Sequence, residues 1–280
     1  MENRDRSTGW QYAKRSGHKN EELVKQLLVS NPDYANELLT RMGFTGETIK
    51  AVTIGGLHET SVTSVNGRRK TKSKTDLKIY LQSGKSINIS IKKSLNGQVY
   101  FVSSRIFIDT FEKQFHKSIP DSVKRAIHLF WASADDAVSI IKEYANKRDE
   151  RNYELQLHHA SLNADTLRCY DETLYADLLA WFRDNAQELT ELAFARGAAK
   201  DQGEWSDFVW YINLLGEHDT DAVFSIPSIC KAAAAAASAE TKYSSKNGGT
   251  TIQLPFGFVQ WHQGKMQFHH KWNQVSKLAK

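Results

Sequence analysis

The chain has 280 residues, 40% of them hydrophobic, 11% aromatic and 25% charged, enough to bury one large core or two smaller ones. No run approaches the roughly 18 apolar residues of a membrane span, and the polar start MENRDRSTGWQYAKRSG lacks the apolar stretch of a secretory signal. Two cysteines, Cys169 and Cys230, are too few for a disulfide framework or a zinc cluster, so free thiols in a reducing cytoplasm are expected. The formal net charge is +5, unevenly spread: nine Lys and Arg between residues 61 and 95 surround a single acid, Asp76. Such a run is either a solvated basic loop or a surface drawn to a polyanion.

Taken in chain order, residues 20–28 (NEELVKQLL) predict a helix, with Leu23, Val24, Leu27 and Leu28 in one stripe. Ser30-Asn31-Pro32 closes it, and a short helix over 34–42 ends at Gly43. Strand patterns follow. Residues 49–54 are β-branched, 75–81 alternate with Leu77, Ile79 and Leu81 on one face, and Ser83-Gly84 turns the chain. In residues 86–92, Ile87, Ile89 and Ile91 alternate with Ser86, Asn88, Ser90 and Lys92. Asn96-Gly97 reads as a hairpin turn into a strand over 99–103, so residues 49–103 are expected to form one meander with a polar face.

Beyond Arg105 the spacing predicts helices, including 123–131, 135–147, 172–198, 204–215 and the alanine-rich 231–240. Trp131, Trp181, Trp205 and Trp210 are expected in their core. After Asn247-Gly248-Gly249 the chain reads as strands again, with a hairpin turn at Gln263-Gly264. The expected fold is α/β, a central mixed sheet flanked by helices with a helical extension. Residues 1–120 are expected to form the catalytic core, 121–245 the extension and 246–280 a hairpin returning to the core.

The chemistry concentrates on the second predicted hairpin. Pairing across Ser83-Gly84 brings Asp76 beside Ser90 and Lys92, and two-residue spacing puts Ser90 and Lys92 on one face. A carboxylate, a second oxygen ligand and a lysine so placed suit metal-assisted phosphodiester hydrolysis, in which magnesium needs only one or two carboxylates. Glu21, flanking the first helix's stripe, is a candidate further ligand, whereas Glu22 lies nearer the solvated side. The plain alternative is an amphipathic hairpin with a wet face. His269-His270 with Asn273 lacks the loop-into-helix spacing of an HNH nuclease. His158-His159 has no Cys or carboxylate at metal spacing.

The runs KTKSKTDLKIYL and SINISIKKS resemble the active-site region of PD-(D/E)XK type II restriction endonucleases, most closely the MspI type; GFVQWHQGKMQF resembles their closing segment. The resemblance covers roughly residues 70–95 and 254–268. It implies a magnesium-dependent (or manganese-dependent) cleaver of double-stranded DNA, with Asp76 as metal ligand, Ser90 at the third ligand position and Lys92 as the catalytic lysine. Ser90 departs from the pattern, because most of the class carries Asp or Glu there and the MspI type Asn. Arg68, Arg69, Lys70, Lys72 and Lys93 are expected to meet phosphates or base edges, and Lys265, His269 and Lys271 to enter a groove. The rival expectations are a structure-specific repair or recombination nuclease and a non-catalytic DNA-binding module. A monomer or a homodimer fits the sequence equally.

Overall fold

The computed structural model of the chain describes residues 6–55, 62–67, 71, 73–242 and 249–279, with side chains from residue 16 onward. It begins with a long helix α1 (Arg6–Ser30) and a short α2 (Pro32–Arg41). Asn31 separates them, accepting the Tyr34 backbone N–H at the start of α2 while Pro32 occupies its first turn. Then come β1 (Ile49–Ile54), β2 (Leu77–Leu81), β3 (Ser86–Lys92) and β4 (Asn96–Val102). A run of helices follows: α3 (Ser104–Phe115), α4 (Asp121–Phe130), α5 (Ala137–Tyr144), α6 (Glu150–His159), α7 (Ala164–Tyr170), α8 (Glu172–Asp184) and α9 (Ala186–Glu191). Next are β5 (Phe208–Ile212), β6 (Asp221–Ser225), α10 (Ile226–Ala235) and β7 (Glu240–Lys242). The chain closes with β8 (Thr251–Leu254), β9 (Gly257–His262), β10 (Lys265–Lys271) and α11 (Trp272–Leu278). Among the described residues no helix is long and apolar enough to cross a membrane.

The strands form two five-stranded sheets. The first has the order β1-β2-β3-β5-β6 and is mixed, because β3 and β5 run parallel while every other pair is antiparallel. The second, β4-β10-β9-β8-β7, is wholly antiparallel. One face of the first sheet, Leu77, Ile79, Leu81, Ile87, Ile89, Ile91, Trp210 and Ile212, packs on Val24, Leu28, Leu38 and Leu39 of α1 and α2. The helical run, the second sheet and Val209 and Tyr211 of β5 share the other core. The fold is therefore α/β, a central mixed sheet flanked by helices.

Several sequence expectations are corrected. The 49–103 meander breaks after β3: β4 leaves the first sheet and pairs with β10. Asn96-Gly97 begins that strand instead of turning a hairpin, with Gly97 opposite His270. Residues 204–215 are a short 3-10 turn and strand β5, not a helix. The run FVWYI lies between two strands and is buried on both faces, so it has no alternation to separate it from a buried helix. Trp205 is only half-buried, against the Arg196 guanidinium, while Trp131, Trp181 and Trp210 are core. β5 and β6 complete the sheet begun by β1–β3, and β7–β10 the one that holds β4.

Candidate active site

The hairpin β2–β3 turns through Gly84, whose φ of +88° suits a residue without Cβ. Its register, Leu77 opposite Ile89 and Ile79 opposite Ile87, sends the aliphatic side chains toward α1 and α2 and the polar ones the other way. Asp76 immediately precedes β2, and its N–H donates to the Ile89 carbonyl at 2.9 Å. One carboxylate oxygen, Oδ2, accepts from the Ile91 N–H at 2.7 Å and from the Ser90 hydroxyl at 3.2 Å. The Lys92 Nζ donates to Ser90 Oγ at 2.5 Å. Ser90 thus bridges the acid and the lysine.

Glu21 reaches the same place from α1. The helix is pinned there by buried Asn20, whose amide donates to the Ile212 carbonyl at 3.0 Å and accepts from the Leu214 N–H at 2.8 Å, at the end of β5. Glu21 lies 3.1 Å from His18 Nδ1. Burial and the nearby Asp76 push its carboxyl up to about 8, against the pull of Lys92. Burial also raises Asp76, opposed by Lys92, the Ile91 N–H, Ser90 and Lys74. The structure therefore brings together Asp76, Ser90, Lys92 and Glu21, from three places in the sequence.

Sequence reasoning missed Lys74, which was counted only as part of the basic run. Its ammonium donates to the Val99 carbonyl and sits 4.8 Å from the centre of the Tyr100 ring. Burial and the neighbouring Lys92 pull it down to about 7. Lys92 is lowered by burial too, and Asp76 and Glu21 oppose the shift. The carbonyl that receives Lys74 is released by a bulge: Gln98 and Tyr100 pair with His269 and Phe268, leaving Val99 unpaired. Gly197 clears room for the lysine stem. At φ +52° its missing Cβ would stand 2.9 Å from Lys74 Cε. The signal available in the sequence was the i, i+2 spacing of Lys74 and Asp76 in an extended segment.

Asp76, Ser90, Lys92 and Lys74 line a cavity of about 450 Å³ with Ser73, Gln98, Tyr100, Phe101 and Gly197. Among the described residues no three His, Cys, Asp or Glu side chains stand together as a metal cluster. The available donors are two carboxylates and a hydroxyl, all hard oxygens, which suit magnesium rather than zinc.

The remaining expected contacts are dispersed. Lys93, at the end of β3, pairs with Glu217 at 2.7 Å. On the second sheet Lys265 lies over the Phe101 ring at 4.9 Å and Lys271 over Phe258 at 5.1 Å, while His269 stacks on Phe258 at 4.8 Å. Arg68, Arg69, Lys70 and Lys72 lie outside the described residues.

No protein-family model matches the chain, and no curated protein matches it. Among solved structures it is similar to restriction endonuclease MspI in complex with its cognate DNA, at 12% identity and a TM-score of 0.40 over 85% of this chain and 77% of that one. A likeness of that degree carries nothing about chemistry, which rests on the geometry above.

Proposed function

We propose that the chain is a magnesium-dependent endonuclease that hydrolyses phosphodiester bonds of double-stranded DNA at defined sequences, in the manner of a type II restriction enzyme. The observation that carries this reading is the linked set Asp76, Ser90 and Lys92 on adjacent strands, with Glu21 and Lys74 beside it. The two acids are held above, and the two lysines below, their ordinary ionisation. A dication on the acidic side and a phosphate on the basic side would each reverse those shifts, so the donor set fits both.

Asp76 and Glu21 hold the cation, with the Ser90 hydroxyl at the third position. When bound, the metal supplies charge neutralisation at the phosphate and a more acidic water. Lys92 orients the attacking water and stabilises charge as it develops. Lys74, with one N–H on Val99, keeps two donors for a phosphate oxygen. Ser90 fixes Asp76 and Lys92 relative to each other.

Incubation of the purified protein with unmethylated phage DNA in magnesium, followed by sequencing of the cut ends, tests this. Discrete ends at one short sequence, lost in EDTA and in Lys92→Ala, are expected. A structure-specific nuclease would spare linear duplex and cut branched DNA. Ser90, where a carboxylate would bind metal better, favours a second reading as a non-cleaving DNA-binding module; that protein would bind duplex equally in magnesium and EDTA and leave it intact.

A further inference from the structure

The second sheet buries Val259, Met266 and Phe268 in the core. Alternation therefore turns Phe258, Gln260 and His262 of β9, and Lys265, Gln267, His269 and Lys271 of β10, to the opposite face. The bulge at Val99 brings Gln98 and Phe101 of β4 onto that face as well, paired with His269 and Gln267. Three glutamines on three neighbouring strands are joined there: Gln260 Nε2 donates to Gln267 Oε1 at 2.9 Å, and Gln267 Nε2 donates to Gln98 Oε1 at 2.7 Å. The chain of amides is directional, and its ends, the Gln98 amino group and the Gln260 carbonyl oxygen, make no hydrogen bond among the described residues. Two aromatic–cation clusters flank the row: Phe101 with His262 and Lys265, and Phe258 with His269 and Lys271.

The row and its flanking clusters lie on strands without Asp or Glu, since β4, β8, β9 and β10 contain neither; the acid that the sheet places on this face is Glu240, on the edge strand β7. The face is continuous with the catalytic cavity, whose wall includes Gln98 and Phe101. A surface that only gripped phosphates would need cations, not a row of neutral amides. Amides present donors and acceptors together, which is what base edges in the major groove require. Across three strands the row spans about 10 Å, roughly three base-pair steps of duplex DNA at about 3.4 Å each.

We infer that the Gln98–Gln267–Gln260 ladder is the sequence-reading element of this enzyme, contacting base edges in the major groove while Lys265 and Lys271 hold the flanking phosphates. The inference rests on the reading of the chain as a DNA-directed nuclease and adds which residues set its specificity. Gln98 donates to purine acceptors, Gln260 accepts from an exocyclic amino group, and Gln267 fixes the spacing between them.

The test is selection of bound duplexes from a random-sequence pool in calcium, with wild type, Gln98→Ala, Gln260→Ala, Gln267→Ala and Lys265→Ala, each also titrated on a random duplex at several salt concentrations. Wild type should enrich one motif. Gln98→Ala and Gln260→Ala should each lose preference by roughly 5- to 150-fold at distinct base pairs, and Gln267→Ala at both. All three should keep wild-type affinity and salt slope on random duplex, which also shows that they are folded. Lys265→Ala should instead weaken binding to every sequence and lower the slope by about one. Glutamine variants that enrich the wild-type motif with undiminished strength overturn the inference, as does a wild type that enriches no motif. Cleavage of the selected duplexes in magnesium is scored separately, so a protein that reads sequence through the ladder without cutting would overturn only the nuclease reading.

Discussion

Asp76 and Ser90 share one hydrogen-bonded network but differ in what their loss removes. Asp76→Asn keeps an acceptor for the Ile91 N–H and removes the charge proposed to hold a metal. It is expected to lower the cleavage rate by about 4 kcal/mol in the barrier, roughly a thousandfold, with duplex affinity in calcium kept or improved; a wild-type rate would refute the site. Ser90→Ala removes the bridge to Lys92, a long bond to Asp76 and a neutral oxygen at the third position, but no charge, so its rate should fall less. Ser90→Asp puts a third carboxylate beside two that already repel. The metal-free variant should melt below wild type and regain stability with magnesium, and half-maximal cleavage should need less of the metal. Complete loss of activity in a folded Ser90→Asp would give the serine a role of its own.

His270 is almost fully buried, 2.9 Å from the Tyr211 hydroxyl, and burial with the nearby Lys92 drives its imidazole down to about 3. Between about pH 6.5 and 3 the unfolded chain binds a proton that the fold excludes, so stability is complete above that window and falls with falling pH. Glu21, raised to about 8, pulls the opposite way: its contribution is present below pH 4.5 and lost as pH rises through 8. The difference between wild type and His270→Phe isolates the histidine. Wild type should lose about 1 kcal/mol more than the variant between pH 7 and 5.5, read from urea unfolding.

At the scale of elements, the β2–β3 hairpin and its polar face were legible because alternation and the Ser83-Gly84 turn are local signals. The position of α1 was not, because it depends on Asn20 meeting the end of β5 about 190 residues away. Asn20→Leu should cost about 2–3 kcal/mol by leaving a buried carbonyl and N–H unpaired. Because Glu21 is the next residue on that helix, the variant should also need more magnesium for half-maximal cleavage. Unchanged magnesium dependence in a destabilised variant would remove Glu21 from the ligand set. Lys74 escaped notice for a similar reason: in a basic run nothing marks the one lysine whose stem is enclosed by Gly197 and a distant bulge.

For the whole molecule, the central mixed sheet and flanking helices followed from the order of strand and helix patterns. What sequence patterns lacked was partner choice: β3 has two good neighbours by local criteria, and the structure gives it β2 and β5 instead of β2 and β4. Electrostatics at this scale also make a prediction for the basic segment before β2. If Arg68, Arg69, Lys70 and Lys72 meet phosphates, each alanine variant should weaken binding to cognate and random duplex alike and reduce the salt slope by about one. An arginine that reads guanine would instead lose roughly 1–3 kcal/mol at the cognate sequence alone. No change in any of the four would confine the polyanion surface to the second sheet.

The parallel pairing of β3 with β5 has a consequence for synthesis. Ile89 to Lys92 emerge from the ribosome well over a hundred residues before Phe208 to Tyr211, against which they pair. Until then the edge of β3 away from Asp76 is free, and α1 lacks the anchor at Ile212 that Asn20 needs. Domains generally fold as units while the chain is made at about 5–20 residues per second, so the site takes form only after β5 has been made. A nascent chain therefore carries every candidate catalytic residue for several seconds in an unassembled state. Truncation anywhere between residues 103 and 207 would yield a fragment with an open apolar strand edge that is prone to aggregate.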